Sequence, residues 1–183
     1  MGRWQSGARE RLVMAALDLY VERGFDETTV AEIAARAGVT ERTFFRYFAD
    51  KREVLFEGSA LLEQLVVQTI ADAPVDASAF DAAIAGVRAT REFLVDRDFS
   101  RRRAAAIDAN ASLRERELLK LASLRDGIAT ALRARGTDEL TAAVAADAAG
   151  SVFHHGFQRW IRGDSEDYSA ALEQALAAVR GIR

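Results

Sequence analysis

Apolar positions along the chain recur at the three- and four-residue steps of an α-helix, and strand-type alternation is missing. The first stripe, Leu12, Val13, Ala16, Leu17 and Tyr20, predicts a helix over 8–23 that stops at Gly24. Thr29, with Glu32 three residues on, reads as a capping box opening a second helix. Its inward positions are Val30, Ile33, Ala34 and Ala37, and Gly38 ends it. Thr40 caps a short third helix over 41–47. Asp50, with Glu53 three residues later, starts a fourth. Val54, Leu55, Leu61, Leu62, Leu65, Val66 and Ile70 carry that helix unbroken to about 71. The run 74–78, opened by Pro74, is the clearest interruption. Beyond it, helices are expected over 79–97, 100–110, 113–135, 138–162 and 167–179. The last sets Tyr168, Ala171, Leu172, Ala175, Leu176 and Val179 on one face. The expectation is an all-α chain of about nine helices, four short and clustered, then five mostly longer.

Composition strengthens that picture. Alanine makes up about a fifth of the 183 residues and Pro74 is the one proline, so good helix formers dominate. Half the residues are hydrophobic, which excludes general disorder, and the length suffices for a real core. The absence of Cys excludes disulfides, thiol catalysis and finger-type zinc sites. No apolar run approaches the ~20 residues of a membrane span, and the first residues lack a secretory signal. A cytoplasmic protein without a membrane partner is therefore expected. Lys51 and Lys120 are the only lysines among 25 basic residues, which, with the alanine load, reads as GC-rich bacterial coding. There is no Gly-rich phosphate loop, nucleophile–base pair or metal-ligand spacing. His154 and His155 are adjacent, so on a helix they diverge by about 100° and do not share one metal. Neither enzyme activity nor a cofactor nor a metal is expected.

Charge changes the picture more. The sum is −3, but residues 36–52 hold Arg36, Arg42, Arg46, Lys51 and Arg52 against Glu41 and Asp50, a local excess of +3. Residues 1–52 hold nine basic and eight acidic groups, and the remainder 16 and 20. An acidic total with a basic patch fits binding of nucleic acid at one face. The patch falls on a helix-turn-helix pattern whose turn is Ala37-Gly38-Val39-Thr40. The second helix of such a motif enters the major groove. Here its outward side chains are Glu41, Arg42, Thr43 and Arg46, with Phe44 and Phe48 inward. Arg3, Arg9 and Arg11 add a basic arm. The plain alternative is an ordinary solvated face, since Arg42 and Arg46 lie four apart.

The stretch 25–40, FDETTVAEIAARAGVT, followed by TFFRYF at 43–48 and DKREVL at 50–55, resembles the N-terminal signature of TetR-type transcriptional regulators. The resemblance covers about 9–60. It implies a homodimer with a DNA-binding three-helix head over 1–52. A helix over about 50–72 connects this head to a ligand-binding and dimerisation domain over 53–183. By position, Thr29, Tyr47 and Lys51 meet phosphate, Glu41, Arg42 and Thr43 face bases, and Thr40 and Arg46 complete the DNA-facing set. Two departures stand out. The family's common Tyr is Phe45 here, which lacks the hydroxyl and is either packed or in apolar contact with the DNA backbone. Arg42 replaces a small residue and adds a bidentate guanine reader. Glu41 either accepts from cytosine N4 or holds Arg42 or Arg46.

In the C-terminal region, the small residues of 142–151 and 170–178 suit close helix approach. With the resemblance, they point to a homodimer through the eighth and ninth helices. Leu118, Leu121, Arg125, Ile128 and Leu132 form one stripe, so Arg125 is expected to be buried. Its partner is then an anionic ligand or a carboxylate such as Asp108 or Asp147. Candidate ligand-lining residues are Phe93, Ile107, Asn110, Leu121, Arg125, Phe153, His154 and Phe157. The phenylalanine-rich third helix resembles regulators answering fatty acyl-CoA, which suggests an acyl-CoA or other apolar-tailed anion as inducer. The expected function is a repressor released from double-stranded operator DNA by a small molecule. The alternative is a helical protein-interaction module with a non-DNA partner.

Overall fold

The computed structural model describes residues 7–182. Met1–Ser6, which include Arg3 of the expected arm, and Arg183 lie outside the described residues. Among the latter there are nine α-helices and no strand: α1 Ala8–Arg23, α2 Val30–Arg36, α3 Glu41–Tyr47, α4 Ser59–Ala71, α5 Ala79–Ala89, α6 Arg97–Asp108, α7 Ala111–Ala134, α8 Glu139–Arg162 and α9 Tyr168–Arg180. Short 3-10 turns cover Glu53–Phe56 and Thr90–Glu92.

Two expected helices are shorter than their apolar pattern. The run from Asp50 to Ala71 is not one helix. It breaks after the 3-10 turn at Gly58, whose φ of 83° is left-handed and ends one helical path before the next begins. Glu53–Ala71 has enough length and mean hydropathy, 1.3, to pass for a membrane span, yet this break divides it. The helix expected over 79–97 ends at Ala89, where the Thr90 hydroxyl donates to the Val87 carbonyl at 2.6 Å. Its last residues instead supply a loop and the start of α6.

The chain divides into two compact units, 7–57 with 102–117, and 58–101 with 118–182. Both α6 and α7 contribute residues to each unit. The resemblance implies a head over 1–52; the first compact unit includes those described residues together with the 3-10 turn and the 102–117 segment. Its core is Leu12, Leu17, Ile33, Phe44, Val54, Ile107 and Leu113, all fully buried. Polar side chains from 102–117 reach the preceding helices. Arg102 bonds Asp18 at 2.5 Å, Arg103 donates to the Leu55 carbonyl at 2.6 Å, and Arg116 pairs with Glu53. Burial lowers the pKa of Arg103, while Glu117 at 3.3 Å works the other way.

In the second unit α8 packs against both α5 and α9. Gly156 makes the α8–α9 approach possible, because a Cβ there would stand 2.7 Å from Leu172 Cδ2 and 3.1 Å from Leu172 Cα. Ala142, Ala145, Ala146, Ala149, Ala171 and Ala175 are buried inside this one chain. Much of the small-residue content that suggested an interface between copies is thus used in packing within the protomer.

Candidate nucleic-acid interface

Seven-residue helices are too short to persist alone, so the α2–α3 pair depends on its ends and its neighbours. At the start of α2 the Thr29 hydroxyl accepts from Glu32 N–H at 3.2 Å, and the Glu32 carboxylate accepts from Thr29 N–H at 2.9 Å, completing the capping box. The Thr29 hydroxyl also donates to the Glu32 carboxylate at 2.9 Å, and the bonds from Thr29, backbone N–H first, hold Glu32 below the usual carboxylate range. Gly38, at φ 68°, makes the left-handed turn. Thr40 then caps α3 by accepting from Thr43 N–H at 3.2 Å. Phe44 and Phe48 are buried, which fixes the rotation of α3.

That rotation turns Glu41, Arg42, Phe45 and Arg46 outward, with Thr43 and Tyr47 half-buried. Phe45 is 55 % exposed and meets Phe44 edge-on at 5.4 Å, so it is not packed into the core. Thr43 shares a hydroxyl contact of 3.1 Å with Thr40. Arg46 donates to the Tyr47 hydroxyl at 3.1 Å and lies over its ring at 4.9 Å. Among the described residues Glu41 has no bond to Arg42 or Arg46, so the alternative that it holds either arginine has no contact behind it.

The basic patch is smaller than its count. Arg36 makes two bonds to Glu22, at 3.0 and 2.9 Å, and these hold Glu22 below its ordinary range. Arg52 pairs with Asp50 at 2.8 Å, and that bond likewise lowers Asp50. Lys51, expected at a phosphate, is turned inward. Its ammonium donates to the carbonyls of Phe25 and Thr28 at 2.8 Å each and approaches Asp26 O at 3.4 Å, above the Phe25 ring. An ammonium has three hydrogens, and here three carbonyls receive them. The cations left facing solvent on α3 are Arg42 and Arg46. Arg9 and Arg11 are not a loose arm. Arg11 donates to the Ala37 carbonyl at 3.0 Å, and Arg9 pairs with Glu57 at 2.8 Å over the Tyr47 ring.

The candidate ligand residues divide between the units. Ile107 and Asn110 belong to the first. Asn110 is occupied there: its Oδ1 accepts from Ser112 and Leu113 N–H at the start of α7, and its Nδ2 donates to Asp26 at 3.1 Å. Phe93, Leu121, Arg125, Phe153, His154 and Phe157 belong to the second. Arg125 is exposed, not buried, because α7 turns Leu124, Ile128 and Leu132 inward and leaves Leu118 67 % exposed. The Arg125 stem lies against Gly150, where a Cβ would meet Arg125 Nε at 2.8 Å. Phe93 and His154 are exposed, and Leu121, Phe153 and Phe157 half-buried. The Arg9–Tyr47 contact was not legible in the sequence, since it joins positions 38 residues apart with no shared motif.

Comparison with known proteins agrees with this geometry. The family described as "Bacterial regulatory proteins, tetR family" matches residues 12–57. The transcriptional regulator TcmR of Streptomyces glaucescens is 38% identical over 87 residues, 44% of this chain and 38% of its own length. YvdT of Bacillus subtilis, also a transcriptional regulator, is 30% identical over 70 residues, 38% of this chain and 34% of its own. The chain thus matches less than half the length of these relatives. Among solved structures, the repressor FadR of Thermus thermophilus in complex with lauroyl-CoA is 27% identical, with a TM-score of 0.55, covering 96% of each chain. SmeT in complex with triclosan has a TM-score of 0.63 at 21% identity, over 93% of this chain and 90% of its own, and shares the fold. A capped helix-turn-helix lies inside the matched segment, and residues 12–57 are similar to the tetR family of bacterial regulatory proteins, within a helical fold like that of the Thermus thermophilus repressor.

Proposed function

We propose that this chain is a ligand-responsive transcriptional regulator that holds double-stranded operator DNA through α3 and is released by a small molecule bound in its second unit. The observation that carries the reading is α3 itself, whose caps and buried phenylalanines present Arg42 and Arg46 outward without an ion pair among the described residues. In this reading Arg42 and Thr43 read base edges, Glu41 faces the groove, and Thr29, Thr40, Arg46 and Tyr47 serve the backbone. Pairing of two copies through α8 and α9 is supported by Leu140 and Val144, 74 % and 59 % exposed on α8, and by Ile182, 79 % exposed beyond α9. An open groove of about 560 Å³ between the two helices is lined by Ser151, His155, Arg159, Gln174 and Val179. Two heads held by such a dimer would meet successive major grooves of one duplex, as a cytoplasmic repressor requires.

The test begins with a duplex enriched from a random-sequence pool by the wild-type chain. Arg42→Ala is expected to weaken that duplex by roughly 1–3 kcal/mol and a scrambled duplex much less, as loss of a bidentate base contact does. Equal loss on both duplexes removes the base-reading role. Affinity insensitive to salt favours a protein-binding module, because phosphate contacts predict a steep fall with salt. For the ligand, lauroyl-CoA is the first probe. Its titration is expected to release the duplex, and alanine at the candidate lining residues Phe93, Phe153 and Phe157 to weaken that response. Sedimentation at micromolar concentration reads the dimer.

A further inference from the structure

We propose that Arg9, in the first turn of α1, is a further phosphate-binding residue, and that Glu57 competes with DNA for it. The inference rests on the DNA-binding reading above and extends its site to a second element. Arg9 is 38 positions before Tyr47, yet its guanidinium carbon lies 5.4 Å from the Tyr47 ring centroid, beside the α3 face. Arg46 approaches the same ring at 4.9 Å and bonds its hydroxyl at 3.1 Å. One half-buried tyrosine thus gathers two guanidinium groups from different helices, each planar and matched to the oxygens of a phosphate. Two like charges around one ring repel, and a single carboxylate offsets them: Glu57 Oε1 accepts from Arg9 at 2.8 Å. The pair is on the surface, with the Arg9 side chain 50% exposed and Glu57 29%, so an arriving phosphate can reach Arg9 and displace the carboxylate. Surface pairs of this kind are weak and yield to a better-matched anion. The tyrosine holds Arg9 in place while the partner changes, so little ordering remains to be done on binding.

Glu57 is therefore an internal stand-in for the DNA backbone. Its negative charge offsets one of the two positive charges in the free protein and opposes DNA when bound. The contact carries no base information, which separates it from Arg42.

The experiment measures affinity by fluorescence anisotropy for the enriched duplex and a scrambled one, across a potassium chloride series. Arg9→Ala is expected to weaken both duplexes by the same factor, severalfold, and to flatten the slope of log affinity against log salt by about one. Glu57→Gln is expected to tighten both severalfold, and to do nothing in the Arg9→Ala background, because it acts through Arg9. Circular dichroism melts confirm that each variant is folded, and Arg9→Lys keeps the charge should Arg9→Ala not fold. Arg9→Lys retaining the wild-type slope with weaker binding supports the proposal. An unchanged slope in Arg9→Ala, or Glu57→Gln that weakens binding, overturns it while leaving the DNA reading intact if Arg42→Ala still discriminates the duplexes. A wild-type chain with no salt-dependent affinity for any duplex overturns both. Inorganic phosphate at millimolar concentration that competes with DNA to the same extent in wild type and Arg9→Ala also counts against an Arg9 phosphate site.

Discussion

The two units hold their helices by different means. In the first, polar side chains pin short helices through backbone groups: Lys51 on the carbonyls of Phe25 and Thr28, Arg11 on Ala37, Arg103 on Leu55, and the Tyr20 hydroxyl on the Lys51 carbonyl at 2.6 Å. In the second, such pins serve helix ends, as where Arg135 donates to the carbonyls of Ile70, Ala73 and Pro74 after α4. Its helix crossings are made by small residues, with Gly86 against Val66 and Ile70, and Gly156 against Leu172. The difference follows from length. A seven-residue helix has more unsatisfied end groups than internal bonds and needs external partners, whereas a 24-residue helix such as α8 is held along its whole apolar face.

The comparison is open to attack, starting with the largest expected effect. Phe44 is fully buried and meets both Phe45 and Phe48. Phe44→Ala is expected to cost about 3–5 kcal/mol in urea unfolding and to abolish DNA binding. A loss within the range of a surface change would mean the pins alone hold α3. Lys51→Met tests the pins directly. It is expected to cost about 1.5–3 kcal/mol, the range for hydrogen bonds to a charged group, while the salt slope of DNA binding stays that of wild type. A slope shallower by about one would restore Lys51 to the phosphate backbone.

For the second unit, two glycines six residues apart on α8 separate close packing from helix propensity. Gly156→Ala drives a Cβ into the α9 backbone and is expected to cost about 1–3 kcal/mol, read by thermal melts. Gly150→Ala meets only the flexible Arg125 side chain, and is expected to be neutral or to gain up to about 1 kcal/mol from helix propensity. If both cost the same, small-residue packing is not what distinguishes α8.

The smallest effect is shared by both units. Burial raises the pKa of Tyr20, helped by the Asp50 charge, and burial raises that of Tyr168 against its 2.8 Å bond to Thr90. Each phenol is held neutral in the fold, while in the unfolded chain it ionises near ~10. Their stabilisation is therefore complete below about pH 10 and is lost as pH rises from there toward the folded values. Absorbance at 295 nm is expected to show Tyr20 and Tyr168 titrating only with unfolding.

The sequence was most legible where a local rule joins neighbours. Thr29 with Glu32 reads as a capping box and Thr40 as a cap, and the two hydroxyls accept from Glu32 N–H and Thr43 N–H. The same reading went wrong where a period was extended across a break. Leu61 and Leu62 continue the stripe of Val54 and Leu55, and nothing in the apolar pattern marks Gly58 as a left-handed residue. Arg125 failed for a related reason. A three-four step defines a line along a helix but not which side of it faces inward, and α7 buries Leu124 in place of Arg125.

By itself, then, the sequence determined the helical class, the caps, the helix-turn-helix and the inward rotation of α3, because each depends on residues within about one turn of one another. Tertiary structure decided what those residues have left to offer. It pairs Arg36 with Glu22 and ties the Lys51 ammonium to carbonyls, so a +3 patch presents Arg42 and Arg46 on α3. It carries Arg9 to Tyr47, and it uses the alanines of α8 inside one protomer. Those are matters of which distant groups meet, and electrostatic and packing energies depend on that separation in space, which the order of residues does not contain.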